Sequence, residues 1–203
     1  MTCYWAYFKN INGKIFRFNT RIYIQSIDKP SDKDECIGAV IGMNPGSAKP
    51  RDIKNKKIQE IIIGKDKTLP NIKSIFLKAY KKTNLNIMHK YIQVLNLFYL
   101  CNEDAEIAIK QMSKYKSEQY ICHSEKNKFN FIFYAWGLKN GINDYKKRFL
   151  ERKDITENYI WFDKNKEKIM TVIPNEYDNV KHPIGLPHEK IILPIKDLLI
   201  KYL

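Results

Sequence analysis

The sequence predicts an α/β protein: a three-layer α/β/α sandwich whose central sheet is mostly parallel and has about four strands. Short apolar runs recur along the chain, and segments with the periodicity of amphipathic helices separate them. Strands that are apolar along their whole length are typical of parallel sheets, which helices cover on both faces. The 203 residues contain no internal repeat and no flexible linker, so one domain spanning 1–203 is expected.

The first predicted elements are a hairpin, a buried strand and a helix. Residues 1–28 alternate aromatic and basic residues in short runs, and we assign 1–30 to a peripheral hairpin or edge strand. Residues 37–41 are apolar throughout and form the first buried strand, which ends in a Gly- and Pro-containing turn at 42–46. A helix is expected over 71–83 because its apolar residues recur on one face.

The rest of the chain repeats this alternation. Further strands are predicted at 91–98, 129–136 and 169–173, and the last of these is ended by a proline. Further helices are predicted at 103–114, 141–152 and 191–203. Strands that alternate with helices in this way indicate crossover connections and a parallel sheet.

The charge of the chain favours a polyanionic partner. Lys and Arg total 36 and Asp and Glu total 22, which gives a net charge of +14. Such a surplus is typical of proteins that bind DNA, RNA or an anionic membrane surface. A composition rich in Lys, Ile and Asn because of AT-rich coding is the alternative explanation. No stretch approaches the roughly 18 apolar residues of a membrane span, and no signal peptide is evident, so a cytoplasmic protein is expected.

The cysteines indicate reduced thiols. Cys3, Cys36, Cys101 and Cys122 lie far apart and form no C-x-x-C pair. This spacing fits buried, unpaired thiols in a cytosolic protein. Metal ligands usually come in close pairs, so a zinc or iron–sulfur site that uses all four is the less favoured alternative. No metal or cofactor is expected.

Polar, turn-forming residues follow the predicted strands. They are found at 42–47, 96–98, 136–137 and 181–188. Ligands of open α/β sheets bind at the carboxyl ends of the strands. These four segments, which are distant in sequence, are therefore predicted to converge on one cleft.

The same segments resemble the motifs of the uracil-DNA glycosylase superfamily, over roughly residues 37–200. The matching residues are Gly42-Met-Asn-Pro-Gly46, Asn96, Ala135-Trp-Gly137 and His182-Pro183. The first motif is most like the G-x-N-P-G motif of the mismatch-specific uracil/thymine branch. With Asp66-x-Thr68 and Asn96-Leu-Phe98, the pattern is also similar to a family of uncharacterised proteins with an N-P-S/G-T/S-A motif.

The resemblance implies two catalytic residues. Asn44 would orient the attacking water, and His182 would donate a hydrogen bond to the base oxygen as negative charge develops there. The alternatives are an Asn44 side chain that caps its own turn and a His182 with a structural role. The fastest uracil-excising branch has Asp at the position of Asn44, so slow turnover is expected.

The resemblance also implies contacts with the base and with DNA. Base contacts are expected from Met43, Gly46, Asn96 and Phe98, and DNA contacts from Ser47, Lys49, Gly185 and Leu186. The Asn96 amide suits a pyrimidine edge, although a bond to local backbone would also satisfy it.

Several of the residues near the expected DNA contacts have more than one interpretation. Leu186 is a candidate to fill the vacated base stack, and Ile184 replaces the Ser that usually follows His-Pro. Lys54, Lys56 and Lys57 extend the expected phosphate track or form a solvated face. Trp136 is expected in the core rather than as a stacking platform.

The implied function is a monofunctional DNA glycosylase that hydrolyses the N-glycosidic bond of a flipped pyrimidine and leaves an abasic site. Uracil-selective relatives carry a bulky Tyr where this sequence has Gly46, so the pocket is expected to accept substituents at C5. Modified cytosines of some phage DNAs are such bases, which would make the protein a defence enzyme. A monomer acting on single- or double-stranded DNA is expected. A catalytically silent nucleic-acid-binding module and a nucleotide N-glycosidase remain alternatives.

Overall fold

The computed structural model describes residues 1–54, 57–115, 120–152 and 154–203, and Lys56 lies outside these ranges. The strands are β1 (Thr2–Ile11), β2 (Lys14–Ile27), β3 (Glu35–Gly42), β4 (Ile58–Glu60), β5 (Lys90–Asn96), β6 (Ile132–Tyr134), β7 (Tyr159–Asp163) and β8 (Lys168–Met170). The α-helices are α1 (Thr68–Tyr80), α2 (Ala105–Met112), α3 (Asn143–Leu150) and α4 (His188–Tyr202). The α/β class predicted from the sequence is confirmed.

The eight strands form one mixed sheet in the order β4-β1-β2-β5-β3-β6-β7-β8. The neighbours β5, β3, β6 and β7 pair in parallel, whereas β4, β1, β2 and β8 pair antiparallel. The prediction of a mostly parallel sheet of about four strands is therefore wrong. The amino-terminal hairpin, β4 and β8 all add antiparallel strands to the parallel ones.

The amino-terminal hairpin belongs to the sheet and is not peripheral. Asn12 and Gly13 both have positive φ, +51° and +74°, which suits the tight turn between β1 and β2. β2 then pairs with β5 over residues 20–23, so both hairpin strands lie inside the sheet order. Period-2 alternation predicted the hairpin, but alternation alone does not indicate which strand it joins.

The fourth parallel strand is β7, not the segment 169–173 predicted from the sequence. β8 covers only Lys168–Met170 of that region and runs antiparallel to β7. The β7–β8 turn is held by Asp163, whose Oδ1 accepts hydrogen bonds from the backbone N–H groups of Asn165 and Lys166 at 2.9 and 3.1 Å. A strand, a tight turn and a second strand thus replace the single predicted strand.

Both faces of the parallel strands are buried. Val40 of β3 packs with residues of α1 and α4, and the next residue, Ile41, packs with residues of α2 and α3. Successive strand side chains point to opposite faces, so two core clusters lie on opposite sides of the sheet. This double burial explains why residues 37–41 are apolar without alternation.

The chain connections form a topological switch point at the carboxyl edge of the sheet. α1 links β3 to its neighbour β5, and the chain then crosses back through α2 to β6 on the other side of β3. The connections that follow β3 and β6 therefore diverge, and such a switch point is where open α/β sheets bind ligands. No helix in the described part of the chain is long and apolar enough to cross a membrane.

Candidate functional site

The loop after β3 carries Asn44 at the carboxyl edge of the sheet. Met43 is 7% exposed and packs in the core, whereas Asn44 is half-buried. The Nδ2 group of Asn44 donates a hydrogen bond to the carbonyl oxygen of Asn102 at 2.8 Å. The amide is planar, so this bond orients its Oδ1 away from Asn102. Asn44 therefore combines a fixed amide plane with an acceptor available to a water or a ligand.

Asn96 ends β5 and lies opposite Gly42 in the parallel pairing of β3 and β5. It is 2% exposed, and its Nδ2 group has no hydrogen-bond partner among the described residues. A buried donor without a partner costs about 1–3 kcal/mol, and such groups occur where a ligand or a water completes the bond. Asn96 therefore carries an unused donor at the predicted base-contacting position.

A buried network supports the end of β5. The hydroxyl of Tyr99 donates to Oε1 of Glu125 at 2.6 Å, and Nε of Arg148 donates to Oε2 of the same carboxylate at 2.8 Å. Arg148 also donates to the carbonyl oxygen of Leu97 at 2.8 Å. Desolvation and the Glu125 charge raise the pKa of Tyr99 well above its ordinary value, so this hydroxyl remains a donor.

His182 reaches the same edge beside β6. Val180 forms a β-bridge with Asp163 at the end of β7, and the N–H of Lys181 donates to the carbonyl of Phe162 at 3.0 Å. His182 then packs against Gly137, whose φ is +76°, and a β-carbon on Gly137 would lie 3.0 Å from Cβ of His182. The predicted placement after a fourth parallel strand was wrong, but pairing with the end of β7 brings His182 to the carboxyl edge.

The environment of His182 favours one neutral tautomer. The backbone N–H of Ile184 donates to Nδ1 of the imidazole at 3.2 Å. Burial lowers the pKa of His182, and the nearby Asp66 carboxylate opposes this effect only in part. A neutral imidazole whose Nδ1 accepts a hydrogen bond carries its proton on Nε2. His182 is therefore a neutral Nε2–H donor.

Asp66, the first residue of the Asp66-x-Thr68 motif, adds a carboxylate for which the sequence predicts no role. Its Oδ1 accepts hydrogen bonds from the backbone N–H groups of Thr68 and Leu69, at 2.7 and 3.3 Å, at the start of α1. Its Oδ2 lies 3.4 Å from the position that a β-carbon on Gly46 would occupy. The open space beside Gly46 is therefore bordered by a carboxylate oxygen.

Arg17 of β2 contacts the loop that follows β3. It is 1% exposed, and its guanidinium donates to the carbonyl oxygen of Ala48 at 3.1 Å and lies 3.9 Å from Oδ2 of Asp66. Burial lowers the pKa of Arg17, and the neighbours Cys101 and Asp66 oppose this shift. Arg17 stands in an alternating hairpin strand, where no motif marks it, so the sequence did not identify this contact.

The prediction that Leu186 fills the vacated base stack is wrong, because this side chain is buried. Leu186 is 5% exposed and packs in the core with residues of α1 and α4, so it is not free to enter a base stack. Ile184 is 46% exposed on the same loop, and the adjacent Gly185 is also exposed. The available apolar side chain of this loop is therefore Ile184.

The remaining predicted residues divide into buried and exposed groups. Phe98 is 1% exposed, packs against the Tyr145 ring at a tilt of 59° with 5.3 Å between ring centroids, and borders a cavity of about 360 Å³. Trp136 is fully buried. The exposed residues are Ser47, Lys49, Lys54 and Lys57, which leaves them accessible to a phosphate backbone.

A concave surface lies on the sheet face formed by β1, β2 and β5, and none of the predicted site residues lines it. It encloses about 470 Å³ and is lined by the basic or titratable residues Lys9, Arg21 and His123 and by the aromatic residues Tyr7, Phe18 and Tyr91. The Arg21 guanidinium lies over the Tyr91 ring, 4.7 Å from its centroid. No Asp or Glu of the described residues lines this groove.

Comparisons with known proteins add no relative. No family model, no curated protein and no solved structure matches the chain. Within the ranges that the structure describes, no group of three His, Cys, Asp or Glu side chains is placed to hold a metal ion.

Proposed function

We propose that the protein is a monofunctional DNA glycosylase that hydrolyses the N-glycosidic bond of a flipped, modified pyrimidine and leaves an abasic site. The observation that supports this most strongly is the arrangement at the carboxyl edge. Asn44, Asn96 and a neutral His182 come from separate segments: Asn44 follows β3, Asn96 ends β5, and His182 packs against Gly137, which follows β6.

Each of these groups suits one part of the reaction. Cleavage of the bond builds positive charge on the sugar and negative charge on the departing base. The Nε2–H of His182 and the unused Nδ2 of Asn96 supply neutral donors for the base. Oδ1 of Asn44 accepts a hydrogen bond from the attacking water and fixes its direction.

The proposal also includes the architecture, the partner and the location of the protein. A three-layer sandwich is supported by the two core clusters on opposite sides of the sheet, one with α1 and α4 and the other with α2 and α3. The net charge of +14 favours DNA as the partner. We propose a cytoplasmic monomer that acts on modified phage DNA.

The proposal is tested by counting abasic sites. The protein is incubated with single-stranded and duplex DNA that contains uracil, a G·T mismatch or glucosylated hydroxymethylcytosine, and aldehydes are titrated after each reaction. Abasic sites in at least one 5-substituted substrate support the proposal. Their absence from every substrate contradicts it.

The basic groove on the β1–β2–β5 face supports a second candidate, a nucleic-acid-binding module without activity. Aromatic rings beside cationic side chains bind unpaired nucleotides by stacking and charge. Arg21→Gln should then weaken binding of an oligonucleotide and reduce the log–log salt slope by about 0.7–0.9. Lys82→Gln removes the same charge beyond α1, against the other sheet face, and should change binding less. Binding without base release would favour this candidate.

A further inference from the structure

A cavity of about 360 Å³ lies between α2 and α3, on the side of the sheet opposite α1 and α4. Its volume is in the range of pockets that hold small molecules. Asn44, Asn96 and His182 do not line it. Four aromatic side chains do, namely Phe98, Tyr115, Tyr120 and Tyr145. The cavity is therefore separate from the proposed catalytic residues and is walled largely by rings.

The rings that line the cavity pack at an angle to one another. Phe98 and Tyr145 are inclined at 59°, and Tyr115 and Tyr120 are inclined at 62° with their centroids 4.9 Å apart. Burial raises the pKa of Tyr145, so this ring is uncharged at neutral pH. Inclined, uncharged rings around one space form an aromatic cage, whose negative ring faces attract an alkylammonium group.

The charged groups of the cavity leave one carboxylate without a partner. Arg148 lines the cavity, but its Nε lies 2.8 Å from Oε2 of Glu125, so its charge is offset. Asp144 also lines the cavity, is exposed, and forms no ion pair among the described residues. A cation held by the rings would supply a counter-charge to Asp144.

We propose that the cavity between α2 and α3 binds a small organic cation, with a methylated ammonium group against the rings and Asp144 as its counter-charge. A bare ammonium is strongly hydrated, so methylation lowers the cost of moving the cation from water into an apolar cavity. The group belongs either to a free small molecule or to a methylated lysine of a partner protein. This inference does not rest on the proposed function, because the two sites share no catalytic side chain.

Calorimetric titration of the full chain with three probes tests the ligand class. The probes are choline, its neutral isostere in which carbon replaces the nitrogen, and cytidine, a flat base with an amine donor. Choline should bind about tenfold or more tightly than the isostere, because only choline carries the charge that the rings and Asp144 attract. Equal affinity for choline and the isostere overturns the inference, and so does tighter binding of cytidine than of choline.

Substitutions separate the ring from the charge. Tyr145→Phe keeps the ring and should bind choline as the unmodified protein does, whereas Tyr145→Leu should weaken binding by about 2- to 30-fold. Asp144→Asn should weaken binding by about two- to fivefold. The matched control is Glu189→Gln, which removes the same charge from the first turn of α4, across the sheet, and should leave binding unchanged. Equal weakening by the two charge removals shows a general field effect and overturns the role of Asp144.

A measurement on the unmodified protein does not depend on the folding of any variant. The ring currents of the cage should shift the N-methyl proton resonances of bound choline upfield in NMR spectra. The absence of such a shift at saturating protein overturns the inference.

Two peptides that differ only in trimethyllysine or lysine identify the source of the cation. Tighter binding of the trimethyllysine peptide than of choline indicates a partner protein, and weaker binding indicates a free small molecule. Equal binding of the two peptides, together with no binding of choline, overturns the inference. Choline binding without base release contradicts the proposed function alone, and base release without choline binding contradicts this inference alone.

Discussion

Asn96 and Gln93 lie on the same strand, β5, and are equally buried at 2% exposure, but only Gln93 has a partner for its amide nitrogen. Nε2 of Gln93 donates to the carbonyl oxygen of Thr20 at 3.0 Å, whereas Nδ2 of Asn96 has no partner among the described residues. Two equally buried amides on one strand thus differ in whether the amide nitrogen donates a hydrogen bond within the described residues. The unused amide is the one at the carboxyl edge.

The first prediction follows from this difference. Asn96→Leu should not lower the free energy of unfolding, because it removes a buried donor that has no partner, but should slow base release by about 10²- to 10³-fold. Gln93→Leu should destabilise the protein by about 0.5–1.5 kcal/mol, because it removes the buried hydrogen bond from Nε2 to the Thr20 carbonyl oxygen. Denaturant unfolding and single-turnover kinetics measure both effects. Equal destabilisation by the two substitutions would show that Asn96 has a structural partner.

The position of Asn96 was predictable because the information is local. An apolar run that ends in a polar residue identifies a strand end, and the shared direction of parallel strands places Asn96 beside the loop at 42–46. The contributions of Asp66 and Arg17 were not predictable in this way. They meet Gly46 and Ala48 only after the hairpin and α1 have packed against the loop.

Two further predictions from the sequence were wrong because the same local pattern fits more than one structure. The run at 169–173 looked like a strand, and only the pairing shows that it is the antiparallel partner of β7. Leu186 and Ile184 are both apolar residues of one loop, and burial against α1 and α4 selects which of them stays exposed. Such choices depend on tertiary packing, which a local pattern does not contain.

The second prediction concerns Gly137, which packs against His182. Gly137→Ala forces a β-carbon to 3.0 Å from Cβ of His182 and adds the strain of a positive φ, about 1–2 kcal/mol. Gly13→Ala is the control, because Gly13 has nearly the same φ and no neighbour within 4 Å of the added carbon. Both variants should lose stability, and only Gly137→Ala should slow base release. Equal rates in the two variants would contradict the role of this contact.

The third prediction is a pH dependence. Burial lowers the pKa of His182 below its ordinary 6.5, so the imidazole should stay neutral, and base release should be independent of the His182 charge, at neutral pH and above. The unfolded chain binds this proton more readily, so the free energy of unfolding should fall as the pH drops below about 6.5. Nitrogen NMR of the ring should show a protonated Nε2 at neutral pH. A His182 pKa above 6.5 would contradict this assignment.

The fourth prediction distinguishes Ile184 from Leu186. Ile184→Ala should leave the melting temperature nearly unchanged and slow base release from duplex DNA more than from single strands, because only a duplex has a stack to fill. Leu186→Ala removes a core side chain and should destabilise the protein by about 2–5 kcal/mol. Thermal melting and parallel assays on the two forms of DNA test both expectations. Loss of duplex activity only in a stably folded Leu186→Ala protein would reverse the assignment.

In the proposed function Asn44 and His182 act together on the N-glycosidic bond, Asn44 on the attacking water and His182 on the departing base. The most direct test is single-turnover base release by the unmodified protein, Asn44→Ala and His182→Ala on one substrate, with DNA affinity measured for each. Each substitution should slow release by about 10²- to 10³-fold and leave affinity nearly unchanged, because these groups act mainly in the transition state. Unchanged rates in both variants, or loss of rate that only follows loss of DNA binding, would contradict the claim.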